Sequence, residues 1–165
     1  MRNWIVVLLV FALTLILQLS IFSRLVLLRG SADVVLVWLA TLALQERFPL
    51  GLGWGAALGL AVGLISAAPW YLYLIAYVAT AGLARLLARR IWQAPLLALL
   101  LVVVAGTLFL HFLLFVYRTL FEVAFPWETF FVQISLPTLF LNLLAAVVVY
   151  PFGRDLVERF YPESV

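Results

Sequence analysis

The sequence predicts an all-α integral membrane protein, and three observations carry that prediction. Of its 165 residues 68% are apolar and only 10% are charged, against about half and about a quarter in a water-soluble domain. A chain this short has no globular core able to hide so much apolar surface, so lipid must be the solvent for most of it. The apolar residues also fall into runs of membrane-spanning length, separated by short polar connections. Soluble enzymes, nucleic-acid-binding domains and disordered chains are excluded. With no cysteine, disulfide-stapled folds, thiol catalysis and Cys-ligated metals are excluded too.

The first run, residues 4–22, spans roughly 28 Å at about 1.5 Å per residue, close to a hydrocarbon core of about 30 Å. Met1-Arg2-Asn3 resembles a signal-peptide start, but no small-x-small cleavage site follows, so the run reads as an uncleaved helix. The second, residues 33–45, is short. Ser31 and Asp33 supply capping oxygens ahead of it, and Gln45-Glu46-Arg47 closes it. It is marginal for a span, and fits a short crossing, a helix buried among the others, or a re-entrant segment. Pro49 suits the first turn of the third run, residues 50–68. Pro69 and Trp70 separate that from the fourth, 70–88. The fifth covers 95–117 and the sixth 130–152, with Pro137 expected in a first turn and Pro151 at a helix stop. All six form one transmembrane domain covering 1–165.

Every basic residue is Arg. With six spans, Arg2, Arg47, Arg85, Arg89, Arg90, Arg154 and Arg159 share one side, and Arg24, Arg29 and Arg118 the other. If the short run does not cross, the N-terminus changes sides. Either way the basic loop of Arg85, Arg89 and Arg90 and the C-terminus are predicted to be cytoplasmic. Trp4, Trp70, Trp92 and Trp127 lie near run ends, as an interfacial aromatic belt requires; Trp38 and Trp54 read as core. The stretch Phe121 to Trp127, flanked by Arg118 and Glu128, reads as an aromatic outer loop. Its acid–base cluster, Arg118 with Glu122 and Glu128, reads as an exposed ion pair.

The sharpest motif is the row Gly51, Gly55, Gly59 and Gly63, continued by Ala67. Residues four apart share a helix face, and a glycine row is a groove into which another helix can approach closely. Packing inside the bundle is the first expectation; docking a partner's transmembrane helix is the second, to be lost when Gly55 and Gly59 become Leu. Thr14 and Gln18 share a polar face of the first run and form a second possible partner face.

Thr80, Thr107, His111 and Asn142 lie within apolar runs. Each must find a hydrogen-bond partner on another helix or in water. His111, the only histidine, reads as a satisfied interhelical hydrogen bonder. It has no second histidine or intramembrane carboxylate for a proton relay, and too few companions for a metal. No serine has a histidine–acid context, and there is no HExxH motif, P-loop or paired intramembrane aspartate. The residues offer no catalytic group, metal site or cofactor site.

Several stretches together resemble the rod shape-determining protein MreD family of bacteria. Leu17-Gln18-Leu19-Ser20, a loop with Arg and Gly, and Ser31-Ala32-Asp33-Val34-Val35-Leu36-Val37 resemble its first hairpin. Trp54-Gly55-Ala56-Ala57-Leu58-Gly59-Leu60-Ala61-Val62-Gly63-Leu64 resembles its third helix. Leu136-Pro137-Thr138-Leu139-Phe140-Leu141-Asn142 through Tyr150-Pro151-Phe152 resembles its last. The chain departs from the family at Ile65-Ser66-Ala67, where an acidic residue often stands. The resemblance implies a six-transmembrane-helix bundle similar to the substrate-binding subunits of energy-coupling factor transporters. It places both termini in the cytoplasm of a cell whose inner membrane holds the bundle. It also implies a non-enzymatic role: binding MreC, a bitopic protein, in the assembly with MreB, RodA and its paired transpeptidase that inserts side-wall peptidoglycan. The shared fold implies an alternative, a small-molecule-binding subunit of such a transporter, with Gln18, Thr80, His111 and Asn142 as the available polar groups.

Overall fold

The computed structural model describes residues 2–22, 26–46, 48, 51–90, 94–121 and 126–161; side chains are described from Leu8 onward, except those of residues 21, 22 and 26. The architecture is all-α with one small hairpin. Helix α1 is Arg2–Leu17 and widens into a π turn over Gln18–Phe22. Strands β1 (Val26–Leu27) and β2 (Gly30–Ser31) pair antiparallel. Helices α2 (Val34–Ala43), α3 (Gly51–Ile65), α4 (Trp70–Ala88) and α5 (Pro95–Phe121) follow. Helix α6 runs from Trp127 to Phe160 with a second π segment, Phe131–Ser135, inside it. Helices α4, α5 and α6 are each long and apolar enough to cross a membrane; α1 to α3 are apolar and shorter.

The short second run is the centre of the bundle. Helix α2 touches α1, α3, α4, α5 and α6, and Val35, Leu36, Val37, Ala40 and Leu42 have no exposed surface. Its ten residues rise only about 15 Å, half a hydrocarbon core. The run is a helix buried among the others, one of the readings expected of it. A helix enclosed this way cannot leave its terminal N–H and C=O groups to water. Both ends are accordingly closed by side chains. The Asp33 carboxylate accepts from the Leu36 N–H at 3.0 Å, and the Arg85 guanidinium donates to the carbonyls of Gln45, Glu46 and Phe48. An anion at the N-terminus and a cation beyond the C-terminus also complement the helix dipole.

Two expected boundaries differ. The sixth run starts earlier and ends later than 130–152, and Pro151 lies inside α6 rather than at a stop. A proline removes one helical hydrogen bond, but a helix in apolar surroundings has no competing conformation that satisfies more of its backbone. Pro137 lies in the first turn of the regular α segment Leu136–Phe160, as expected, directly after the π segment. Its missing N–H would have served the Gln133 carbonyl four residues back. That carbonyl instead accepts from the Arg29 N–H at 3.0 Å, so the proline creates the acceptor that docks the hairpin. Gly30 makes the docking possible, since a Cβ there would lie 2.7 Å from the Ile134 carbonyl. At the hairpin tip Leu28 has φ 56°, which a two-residue turn between twisted strands requires.

The outer surface suits lipid. Leu9, Leu13, Ile16, Leu64, Leu86, Phe112, Phe140 and Val148 are among its exposed apolar side chains. Trp70 and Trp127 open α4 and α6 and are half exposed, as a belt predicts. Trp38 and Trp54 are packed inward, Trp54 stacked on Phe11 with ring centroids 4.7 Å apart. Trp4 and Trp92 lie outside the described side chains. So do Arg2, Arg24, Arg47, Pro49 and Glu122, and with them most of the Phe121–Trp127 loop.

Candidate functional site

The glycine row faces α4 of the same chain. A Cβ on Gly55 would lie 2.9 Å from the Tyr77 carbonyl, on Gly59 2.9 Å from the Leu74 Cα, and on Gly63 2.7 Å from the Trp70 Cα. Gly51 leaves room for the Arg85 guanidinium. The row is therefore filled by an internal helix, and no partner helix can enter it. Thr14 is likewise turned inward: it is buried and donates to the Val10 carbonyl at 2.7 Å. Gln18 clamps the approach to α2. Its Nε2 donates to the Ala32 carbonyl at 2.7 Å, and its Oε1 accepts from the Val34 N–H at 2.9 Å. The glycine row and Gln18 are thus taken up by the fold, while Thr14 still borders a groove beside α1.

The intramembrane polar residues separate in the same way. Asn142 has no exposed surface. Its Oδ1 accepts from the Asp33 N–H at 2.6 Å, and its Nδ2 donates to Thr107 Oγ1 at 2.9 Å. The Tyr77 hydroxyl donates to the Asp33 carboxylate, 2.7 and 2.9 Å from its two oxygens. One network thus ties the start of α2 to α1 through Gln18, to α4 through Tyr77, to α6 through Asn142 and to α5 through Thr107. Thr80 stands apart. It donates to the Ala76 carbonyl of its own helix and packs against Gly106, whose added Cβ would lie 2.5 Å from its Oγ1.

His111 corrects its expectation. It is 9% exposed, and its Nδ1 is buried without a hydrogen-bond partner among the described residues. Its ring sits edge-on to Phe130 at 6.1 Å. Through Phe115, Phe130 and Trp127 the same aromatic contacts join the ends of α5 and α6. Of the basic loop, Arg85 is spent on closing α2, while Arg89 and Arg90 are exposed.

His111 lines a cavity of about 250 Å³ at the end of the bundle where α2 begins. Gln18, Arg29, Asp33, Ser66, Tyr73 and Thr138 line it too, between apolar walls that include Leu15, Leu110 and Leu114. Ser66 Oγ donates to the Tyr73 hydroxyl at 2.6 Å. Both π segments border this cavity, one through Gln18 and Leu19, the other through Ile134. Wide turns of this kind recur at functional sites because they turn side chains and carbonyls away from a regular ladder. Asp33, Arg29, Ser66 and Tyr73 were not among the expected site residues. Asp33 read as a cap, and nothing along the chain shows that it also lines a hollow. The available signal was its position, a carboxylate immediately beside a wholly apolar run.

Among the described residues no group of three or more His, Asp or Glu could hold a metal. Compared with known proteins, the chain matches no family, no curated protein and no solved structure significantly.

Proposed function

We propose that this chain is a non-enzymatic membrane scaffold of the bacterial cell-elongation machinery that docks the single transmembrane helix of an MreC-like bitopic protein. In this reading the bundle crosses the inner membrane six times, the buried α2 making one crossing together with the capped segments at its two ends, and both termini lie in the cytoplasm. Its fold is that of the energy-coupling factor substrate-binding subunits, and it supports side-wall peptidoglycan synthesis alongside RodA, its transpeptidase and MreB. The resemblance of three separated stretches to the MreD family supports it. The structural observation that carries it is a groove of about 440 Å³ between α1 and the end of α6, floored by Trp38 of α2. Val10, Leu13 and Leu17 form one wall, Phe152 and Leu156 the other, and Asp155 and Arg159 stand at one end. An apolar helix fits the walls, and a polar residue at its membrane boundary fits the charged end. Thr14 also lines this groove, which replaces the glycine row and Gln18 as the partner surface.

The chain has no cysteine, so single cysteines report contacts cleanly. Leu13→Cys and Phe152→Cys should each form a disulfide with cysteines along the partner's transmembrane helix, and Ile75→Cys, exposed on α4, should not. Val10→Trp should fill the groove and abolish co-purification of the partner without unfolding the chain. Crosslinks that prefer Ile75, or a partner retained by Val10→Trp, would refute the groove. The alternative, a small-molecule-binding subunit of an energy-coupling factor type transporter, is favoured by the polar cavity; a pull-down that recovers an ATPase pair would establish it.

A further inference from the structure

Asp33 is the carboxylate among the described residues that line the cavity where α2 begins. Asp33 accepts from the Leu36 N–H and the Tyr77 hydroxyl, both neutral donors. Among the described residues no basic side chain forms an ion pair with it. Arg29 lines the same cavity from the hairpin and is exposed. The cavity therefore presents an acidic acceptor group from Asp33 and a positive group from the exposed Arg29. His111 adds an imidazole whose Nδ1 has no partner. A carboxylate in a low-dielectric enclosure is costly unless a counter-charge joins it. Nothing about capping α2 requires that hollow, because asparagine or serine would cap as well.

We propose that this cavity binds a small zwitterion, with a protonated amine on Asp33 and an anionic phosphate or carboxylate on Arg29. A volume of about 250 Å³ suits a group of headgroup size, below the range of about 300–1,000 Å³ typical for drug-sized ligands. Phosphoethanolamine has this chemistry, both as a free molecule and as the headgroup of phosphatidylethanolamine. The apolar walls formed by Leu15, Leu19, Leu110 and Leu114 suit the first methylenes of an attached chain. The cavity meets α1 and its π turn through Leu15, Gln18 and Leu19, whereas the α1–α6 groove uses Val10, Leu13, Thr14 and Leu17, so the two sites share no lining residue. The inference does not rest on the partner reading, and each can fail alone.

The test uses the full chain. In detergent micelles, the thermal midpoint is measured against phosphoethanolamine, ethanolamine and inorganic phosphate. In nanodiscs, native mass spectrometry counts lipid retained from phosphatidylethanolamine, phosphatidylcholine or phosphatidylglycerol. Either free phosphoethanolamine raises the midpoint in a saturable way, or phosphatidylethanolamine is retained over the other two lipids. The first outcome identifies a soluble ligand and the second a lipid. In both cases Asp33→Asn, which keeps the helix cap, weakens binding at least tenfold. Arg29→Gln weakens phosphoethanolamine but leaves ethanolamine unchanged. Leu114→Trp fills the cavity from α5 and abolishes binding without touching the cap, so a folding defect in Asp33→Asn leaves the test intact. Absence of binding from both sources, or binding unchanged in Leu114→Trp, overturns the proposal.

Discussion

Replacing Gly59 with Ala adds one methyl group, and the structure says where it goes. The new Cβ would lie 2.9 Å from the Leu74 Cα and 2.9 Å from the Tyr73 carbonyl, and 3.0 Å from the Tyr77 Cβ. Ordinary contact begins near 3.4 Å, so α4 must retreat by about 0.5 Å. The obstructing atoms are mainly backbone, which cannot swing aside as a side-chain tip can. Overpacking of this kind costs about 1–3 kcal/mol. Gly82 is the matched control, since a Cβ there would meet only Leu52 Cδ2 at 3.6 Å. Both positions are inside helices and gain up to about 1 kcal/mol of propensity on becoming Ala. That gain cancels in the comparison, and the steric cost remains. Unfolding of the two variants in mixed micelles by sodium dodecyl sulfate titration should therefore place Gly59→Ala about 1–3 kcal/mol below Gly82→Ala. Equal stabilities would show that α3 and α4 do not meet along the glycine row, and the claim that this face is closed to partners would fall with it.

Four other outcomes follow from the closure and docking of α2 and of the hairpin before it. Arg85→Ala frees the Gln45, Glu46 and Phe48 carbonyls and should cost about 1.5–3 kcal/mol by the same titration; Arg85→Lys should recover only part, because an ammonium lacks the planar fork. Asn142→Leu strips partners from both the Asp33 N–H and Thr107 and should cost about 1–3 kcal/mol. Thr107→Val removes a single interhelical bond and should cost about 0.6 kcal/mol. Pro137→Ala restores an N–H that competes with Arg29 for the Gln133 carbonyl, so the Arg29 amide should exchange with deuterium faster than in the parent. Unchanged exchange would mean that the hairpin is held by other contacts.

What could be read from the sequence was whatever depends on one helix at a time. Apolar run length located the helices, and the four-residue glycine spacing located the tightest packing face. Partners could not be read this way. Gln18 lies on the same face as Thr14, which suggested a shared polar surface, but its amide is taken up by backbone groups of residues 32 and 34, across a reversal of the chain. Asn142 and Asp33 are 109 residues apart, and a single sequence holds no signal of that pairing. One proline misled for a related reason. Helix rules derived from water treat a proline as a boundary; Pro137 obeys them in the first turn of Leu136–Phe160, whereas Pro151 is carried within the helix.

The cavity and the central helix are consequences of one choice, the shortness of α2. A full-length helix in that position would fill the bundle from face to face. Ten residues leave about half the depth without it, and at the N-terminal end the chain turns back through the hairpin instead. There the connecting backbone needs hydrogen-bond partners that helices do not supply, and Gln18, Asn142, Asp33 and the Gln133 carbonyl provide them. Polar groups thus gather at this end for structural reasons first. Their satisfaction is nearly complete, which is why the unpartnered Nδ1 of His111 stands out beside the Asp33 carboxyl group that lines the same cavity. In an enclosure bounded by leucine and isoleucine, groups of that kind are expensive to keep unless something binds them.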